Sequence, residues 1–509
     1  MRVFNRAGVS IFCVCLRRET LDGEKRMRTE KVTMDRSRSA FSEGLRRNFG
    51  FEPTASQAEA MERLADFIYG KGDNFLFQLS GYAGTGKTSL VSALVKTLAD
   101  IGVHIVMLAP TGRAAKVLSQ YSGRKAYTIH KWIYRVYSKD GVRKFVRREN
   151  KDSHTLFIVD EASMISAQGS INELVGNSLL DDLMEFVFLG DSNRMLFVGD
   201  DAQLPPVHAD ESPALDADYL KSAYNVEVFG AKLTDVVRQS LDSGILYNAT
   251  LVRDKINAGD YSFPMFSGRK FEDFRRVNGG EMEELLNTLY NDHGHDEIVL
   301  VTRSNKRAFQ YNNAVRSRVL FRENVIATGD YIMAVKNNYY WLDEVSSEAG
   351  FLANGDIMEI MSIHKQQELY GFHFADITAR LCDYPEHPYV DMKIILETLD
   401  CDGPSLSHEA NQKLYYAVAE DYADIINPRA RFLKIKEDPY LNAVQVKFAY
   451  ALTCHKTQGG QWKHVLIDQG YLPDNTIDKE YLRWMYTAVT RGTEKVYLLG
   501  FQDEMFENA

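Results

Sequence analysis

At 509 residues, with 45% hydrophobic and 26% charged side chains, the chain is too long for one core and should divide into roughly three or four domains. No apolar run is long enough for a bilayer-spanning helix, which argues against a membrane-embedded role, and the five cysteines (Cys13, Cys15, Cys382, Cys401, Cys454) lack paired zinc spacing and fit free thiols in the cytoplasm. The net charge of −10 speaks against a nucleic-acid partner only until its distribution is read: from Arg124 to Lys151 ten Lys and Arg stand against two acids, either a solvated face or the footprint of a phosphate-backbone contact.

Residues 1–47 carry little sign of a fold. They are expected to be a disordered arm, or the product of an upstream start codon with Met34 as the true beginning. Order should begin at Pro53, where Thr54 can N-cap a helix and Gln57 can close a capping box. Met61, Leu64, Ala65 and Ile68 follow at helical spacing and should face the core.

The apolar run from Phe75 to Leu79 reads as a buried strand, and the run from Ser89 as the start of a helix. Between them lies GYAGTGKT, Gly81 to Thr88, which fits G-x-x-x-x-G-K-[ST]. Such a loop wraps phosphates with backbone N–H groups, while its Lys and hydroxyl serve the terminal phosphates and Mg²⁺. Glycines that merely shape a turn would not account for Lys87 and Thr88. Gly81, Ala83, Gly84, Thr85, Gly86, Lys87, Thr88 and Ser89 are therefore the expected nucleotide-binding residues.

A strand from Val103 to Pro110 leads to the loop Thr111-Gly112-Arg113 and a helix from Ala114 to Ser119. The basic segment, residues 123–153, contains Trp132, Tyr134, Tyr137 and Phe145, and Lys139-Asp140-Gly141 reads as a hairpin turn. It is expected as a small insertion on the first lobe, residues 48–249. Strands over 155–160 and 195–200 both end at acids, where a doubly wound sheet places its ligand crevice. In Asp160-Glu161, one carboxylate can hold Mg²⁺ and the other can orient the attacking water. Gln203, alone an ordinary polar loop residue, becomes in this order a group that can sense the γ-phosphate. A second lobe is expected over 250–328 and 447–509, interrupted by a β-rich insertion over 329–446, with strands at 444–449, 464–468 and 495–500.

The motifs GYAGTGKT, APTGRAA, TIH, IVDEAS, GDDAQLPPV, LTDVVRQ, ALTCHKTQGGQW and YTAVTRG occur in the order seen in superfamily 1 DNA helicases. The chain resembles the RecD-like and phage Dda-like group, over about Gln57 to Phe501. That resemblance implies two RecA-like P-loop lobes with parallel sheets, a basic hairpin pin or wedge in lobe 1 and an SH3-like insertion in lobe 2. It implies that Gln57 reads adenine, Thr88 and Asp160 hold Mg²⁺, Glu161 handles the water, and Lys87, Gln203, Arg238 and Arg491 meet the terminal phosphates. It places Thr111, Thr128, His130, Thr453, His455 and Lys456 on the nucleic-acid backbone.

The implied function is an ATP-dependent helicase that moves along single-stranded DNA, 5′-to-3′, and opens single-strand/duplex junctions in replication, recombination or repair. It would work as a monomer in the cytoplasm, with recombination or replication proteins as partners. Two rivals stay open at this stage. One is a nucleotide-switched DNA-binding protein that remodels without unwinding, and the other is an RNA motor, since backbone-gripping loops discriminate weakly between sugars.

Overall fold

The computed structural model describes residues 37–139, 142–169, 178–236, 242–268, 270–342, 351–384, 386–401, 403–472 and 476–507. The chain forms two compact units: residues up to 110 with 114–133 and 147–241, and residues 111–113 with 134–146 and 242–509.

In the first unit the apolar runs pair into a sheet. Its strands are β1 (Phe75–Gly81), β2 (His104–Ala109) and β3 (Ala126–Thr128); then, after a separate hairpin of β4 (Tyr134–Lys139) and β5 (Val142–Arg147), come β6 (Thr155–Val159), β7 (Arg194–Gly199) and β8 (Glu227–Leu233). The order is β3-β2-β6-β7-β1-β8, and every pairing is parallel. Every residue of β6 and β7 is buried, as strands must be when helices cover both faces of a parallel sheet. The helix Ala55–Tyr69 supplies Met61, Leu64, Ala65 and Ile68, and the helix Lys87–Asp100 supplies Leu90 and Leu94, to one continuous core with β1 and β2. Each large apolar side chain buried there stabilises the unit by about 1.5–3 kcal/mol.

That core also claims part of the arm expected to lack order. Residues 37–49 are helical, and Phe41, Leu45 and Phe49, spaced by four, are buried in the same cluster. Arg38 pairs with Asp66 at 2.7 Å and with Glu62 at 3.1 Å. The apolar stripe was hard to see because Arg and Ser residues surround it. Cys13 and Cys15 lie outside the described residues; Cys382, Cys401 and Cys454 form no disulfide among the described residues.

The basic segment does contain a two-stranded hairpin, but residues 134–146 group with the second unit although the flanking chain belongs to the first. Their backbone groups pair within the hairpin, so they are not committed to the first sheet. The turn at Asp140-Gly141 lies outside the described residues.

The second unit opens with β9 (Phe274–Val277) and β10 (Ile298–Thr302) and continues through β11 (Tyr331–Ala334), β12 (Ile357–Leu369), β13 (Phe372–Leu381), β14 (Val390–Ile395), β15 (Val444–Phe448), β16 (Ala451–Thr453), β17 (Trp462–Asp468) and β18 (Gly492–Leu499). A parallel sheet has the order β16-β10-β17-β18-β9, and β11 to β15 close a small barrel. The run at 444–449, expected to resume the lobe, is instead the last barrel strand; β16 is the one that returns to the sheet. Two helices, His408–Glu420 and Pro428–Lys436, lie between β14 and β15 and bury Leu414, Val418 and Ile435 against Phe372 and Phe374.

Asp330, at the entry to the barrel, is completely buried. It accepts from Arg316 Nε at 3.1 Å and Nη2 at 3.0 Å, from the Ala327 N–H at 2.7 Å, and from the Tyr450 hydroxyl at 2.9 Å, with Arg322 Nη1 at 2.5 Å. Breaking such a set leaves two guanidinium groups without their counter-charge. Asp330→Asn should therefore lower the stability of the second unit by about 3 kcal/mol, read from urea unfolding of the full chain; a loss below about 1 kcal/mol would show that the cluster behaves like an exposed ion pair.

Candidate active site

Three neighbouring strands in the order β6-β7-β1 bring the first unit's motif residues to one edge. The loop after β1 is tight. A Cβ on Gly81 would lie 2.9 Å from both Leu233 Cβ and Thr85 Oγ1, so only glycine fits there. Gly86 has φ of 85° and begins the helix Lys87–Asp100 in the left-handed conformation. The free N–H groups at that helix start, with its dipole, favour an anion. Lys87 Nζ donates to the carbonyls of Gly81 at 2.5 Å and Tyr82 at 2.9 Å, and stands 3.9 Å from Asp200 Oδ2. Thr88 and Ser89 are exposed at the helix start.

Gln57 is buried, and both ends of its amide are used: Oε1 accepts from the Thr54 N–H and Nε2 donates to the Thr85 carbonyl, each at 2.9 Å. The capping box is thus present, and the same side chain ties the helix Ala55–Tyr69 to the phosphate loop. Asp235, in the motif that holds Arg238, accepts from the Ser56 N–H at 2.9 Å and the Ser56 hydroxyl at 2.8 Å. These bonds, the backbone one foremost, hold its carboxyl below the usual range. Arg238 itself lies outside the described residues.

Asp160 follows β6. Its Oδ2 accepts from the Tyr121 hydroxyl at 2.7 Å and its Oδ1 from the Glu161 N–H at 2.8 Å. Burial raises its pKa against the opposing pull of these bonds and of Lys87. Glu161 has φ of 51° and ψ of 37°, a conformation that costs a non-glycine residue about 1 kcal/mol. It opens the short turn Ala162–Met164. Past β7, Asp200 is buried and accepts from the Ala202 N–H at 3.0 Å. Gln203 is 7% exposed, and among the described residues its Oε1 has no hydrogen-bond partner; a buried acceptor of this kind favours a ligand or water that can donate to it.

Among the described residues no three His, Cys, Asp or Glu gather as a metal cage. The hydroxyl of Thr88 and the carboxylate of Asp160 are hard oxygen donors, the set Mg²⁺ takes when phosphate oxygens and water complete its shell.

The expected nucleic-acid residues are divided between the units. In the first, Thr128 is buried and its hydroxyl accepts from the Lys131 N–H at 3.2 Å, capping the turn Ile129–Ile133, while His130 is half-buried. Trp132 packs beside Tyr127, ring centroids 5.0 Å apart, with the Arg148 guanidinium 4.6 Å from its ring centre; Tyr134 is buried. Both rings therefore serve packing. The side chains of Tyr137 and Phe145 lie outside the described set. Thr111 falls within the second unit.

Thr453 ends β16, and His455 and Lys456 lie on the turn Cys454–Thr457. Lys456 Nζ donates to Asn354 Oδ1 on the barrel, and burial lowers its pKa to about 8. Arg491 is buried: Nε donates to the Thr487 carbonyl at 3.0 Å and Nη1 to the Gly460 carbonyl at 3.3 Å.

Sequence reading missed Tyr121 and Lys232. Lys232, at the end of β8, contacts Asp201 at 2.6 Å and lies 4.8 Å from the centre of the Tyr82 ring within the phosphate loop. Its place one residue before the LTDVVRQ motif was the only available signal.

The family described as AAA domain matches residues 52–259, and the UvrD-like helicase C-terminal domain matches residues 448–499. The chain is 32% identical to the ATP-dependent RecD2 DNA helicase of Deinococcus radiodurans over 193 residues, covering 38% of this chain but only 23% of that protein. It is 23% identical to the ATP-dependent DNA helicase Dda of phage T4, covering 82% of this chain and 93% of Dda. A crystal structure of a Bacteroides Pif1 helicase with ADP-AlF3 and single-stranded DNA covers 90% of this chain and 95% of its own, at 14% identity and a TM-score of 0.44. No helix among the described residues is long and apolar enough to cross a membrane.

The barrel residue beside Lys456 gives a pH dependence. Burial raises the Asp356 carboxyl to about 7, with Asp383 adding to the shift and Lys456 opposing it. The folded chain then keeps a proton that the unfolded chain releases near pH 4, so this contribution to stability falls as pH rises from about 4 through about 7 and is level above. Asp356→Asn keeps an acceptor for the Ala353 N–H and removes the titration. It should raise stability at pH 8 by on the order of 1 kcal/mol or more and change it little at pH 5, as read from urea midpoints. Equal effects at both pH values would contradict this.

Proposed function

The chain belongs to the superfamily 1 helicases of the RecD- and Dda-like group, and from that premise we infer that it is an ATP-dependent DNA helicase. The observation that carries the reading is the meeting of Lys87, Asp160-Glu161 and Asp200 at the ends of adjacent parallel strands β1, β6 and β7. Lys87 is assigned to the β- and γ-phosphates. During binding it exchanges the Gly81 and Tyr82 carbonyls for phosphate oxygens, which as anions are stronger acceptors.

Thr88 and Asp160 would hold Mg²⁺, which neutralises charge on the phosphates when bound. Glu161 orients and deprotonates the attacking water; Gln203 is assigned to the γ-phosphate or its water, from which its Oε1 can accept. Gln57 positions the loop through Thr85 and is assigned to the adenine edge. Arg491, from its carbonyl bonds in the second unit, and Arg238 are assigned to the developing charge on the γ-phosphate, a role worth about 10³-fold or more in rate.

Thr111, Thr128, His130, Thr453, His455 and Lys456 are assigned to the DNA backbone. On binding, Lys456 would exchange its bond to Asn354, and the Thr128 hydroxyl already accepts from the Lys131 N–H. Movement 5′-to-3′, a monomeric working state, strand separation by the β4–β5 hairpin and an SH3-like identity for the barrel complete the proposal.

Strand displacement with 5′-tailed, 3′-tailed and blunt DNA and RNA duplexes tests it. Unwinding of 5′-tailed DNA alone is expected; DNA-stimulated hydrolysis without displacement would favour a remodelling switch, and equal action on RNA an RNA motor. Lys87→Ala should abolish hydrolysis. Glu161→Gln should retain ATP binding while turnover falls by about 10²–10⁴-fold, measured by nucleotide fluorescence and phosphate release; near-normal turnover would remove Glu161 from the water.

A further inference from the structure

Tyr121 belongs to none of the motifs, yet its hydroxyl makes a 2.7 Å hydrogen bond to Asp160 Oδ2. It stands in the last turn of the helix Gly112–Ser122, with its ring packed against the first unit's core. The other carboxylate oxygen, Oδ1, is held at 2.8 Å by the Glu161 N–H. Asp160 is therefore fixed at both oxygens by donors from different elements: a side chain on a helix and the backbone just after β6. Each carboxylate oxygen accepts at two sites, so both retain capacity toward a cation.

We propose that Tyr121 is a positioning residue for the divalent cation of the nucleotide complex. It sets the rotation of the Asp160 carboxylate before the cation arrives. This rests on the nucleotide-site reading above. Without the hydroxyl, Oδ2 would have to find another donor in a half-buried place, and the carboxylate could turn about its terminal torsion, which has no steep preference. A partner in this outer position orients a metal-binding carboxylate and tunes its affinity without touching the metal.

Tyr121→Phe removes only the hydroxyl and leaves the ring in the core. In a titration of the full chain with a fluorescent ADP analogue, Mg²⁺ should bind the ADP complex about tenfold more weakly in the variant. Affinity for the analogue in EDTA should stay unchanged and the thermal midpoint should fall only slightly, as the loss of one hydrogen bond entails, which separates positioning from packing. The effect should also vanish in an Asp160→Asn background, where the carboxylate that Tyr121 holds is gone.

Unchanged Mg²⁺ affinity in Tyr121→Phe, or the same loss with and without Asp160, overturns the proposal while leaving the nucleotide site standing. Failure of the unsubstituted chain to bind the analogue would overturn both.

Discussion

Parallel pairing of β1 with its neighbours is the constraint on which the first unit depends. In a parallel sheet all strands end on the same side, so the residues just past β1, β6 and β7 come together without being close in sequence. Leu79 lies beside Val198, and Val159 beside Phe197. Those registers are set by apolar side chains with no chemistry of their own. They bring Lys87 to within 3.9 Å of Asp200, more than a hundred residues away. The glycines of the phosphate loop then allow the chain to turn from strand to helix in the space that Leu233 and Thr85 leave.

Polar side chains do a different kind of work around this frame. Gln57 joins the helix Ala55–Tyr69 to the phosphate loop, Asp235 joins a later segment to the same helix, and Tyr121 reaches Asp160 from another helix. Each bond joins elements that have separate reasons to fold. A net contribution of about 1 kcal/mol apiece is modest, but the effect on orientation is large because a partly buried polar group has few other partners. The second unit follows the same logic at Asp330, where two arginines and a tyrosine converge on one carboxylate, and at Asp468, which Arg307 and Tyr311 hold.

Barrel residues also bear on the motif assigned to the DNA backbone. Lys456 looks in sequence like a free cation after a strand. Asn354, a hundred residues earlier, comes to it from the barrel and accepts from its ammonium, while burial lowers its pKa against the opposing charge of Asp356. A basic residue in a motif is thus also a half-buried residue with a polar partner, and its charge is held in place by a group that no local spacing reveals.

Strands β1, β2, β6, β7, β10 and β17 were legible in the sequence because each is a continuous apolar run, and the phosphate loop was legible because its residue types and spacing are dictated by phosphate chemistry. Lys87, Thr88 and the Asp160-Glu161 pair were singled out from that chemistry, and the Thr54–Gln57 capping box, read from its spacing, is present. The helix over 37–49 was missed because its three buried aromatic and aliphatic residues are diluted by charge, and the strand at Val444 was given to the wrong sheet because an apolar run does not say with which strand it pairs. Tyr121 and Asn354 had no signal at all. Sequence alone determined which residues can perform the chemistry, since that depends on side-chain type over a few residues. Tertiary structure alone decided which groups orient and bury them, because register, barrel closure and long-range hydrogen bonds arise from contacts between segments far apart in the chain.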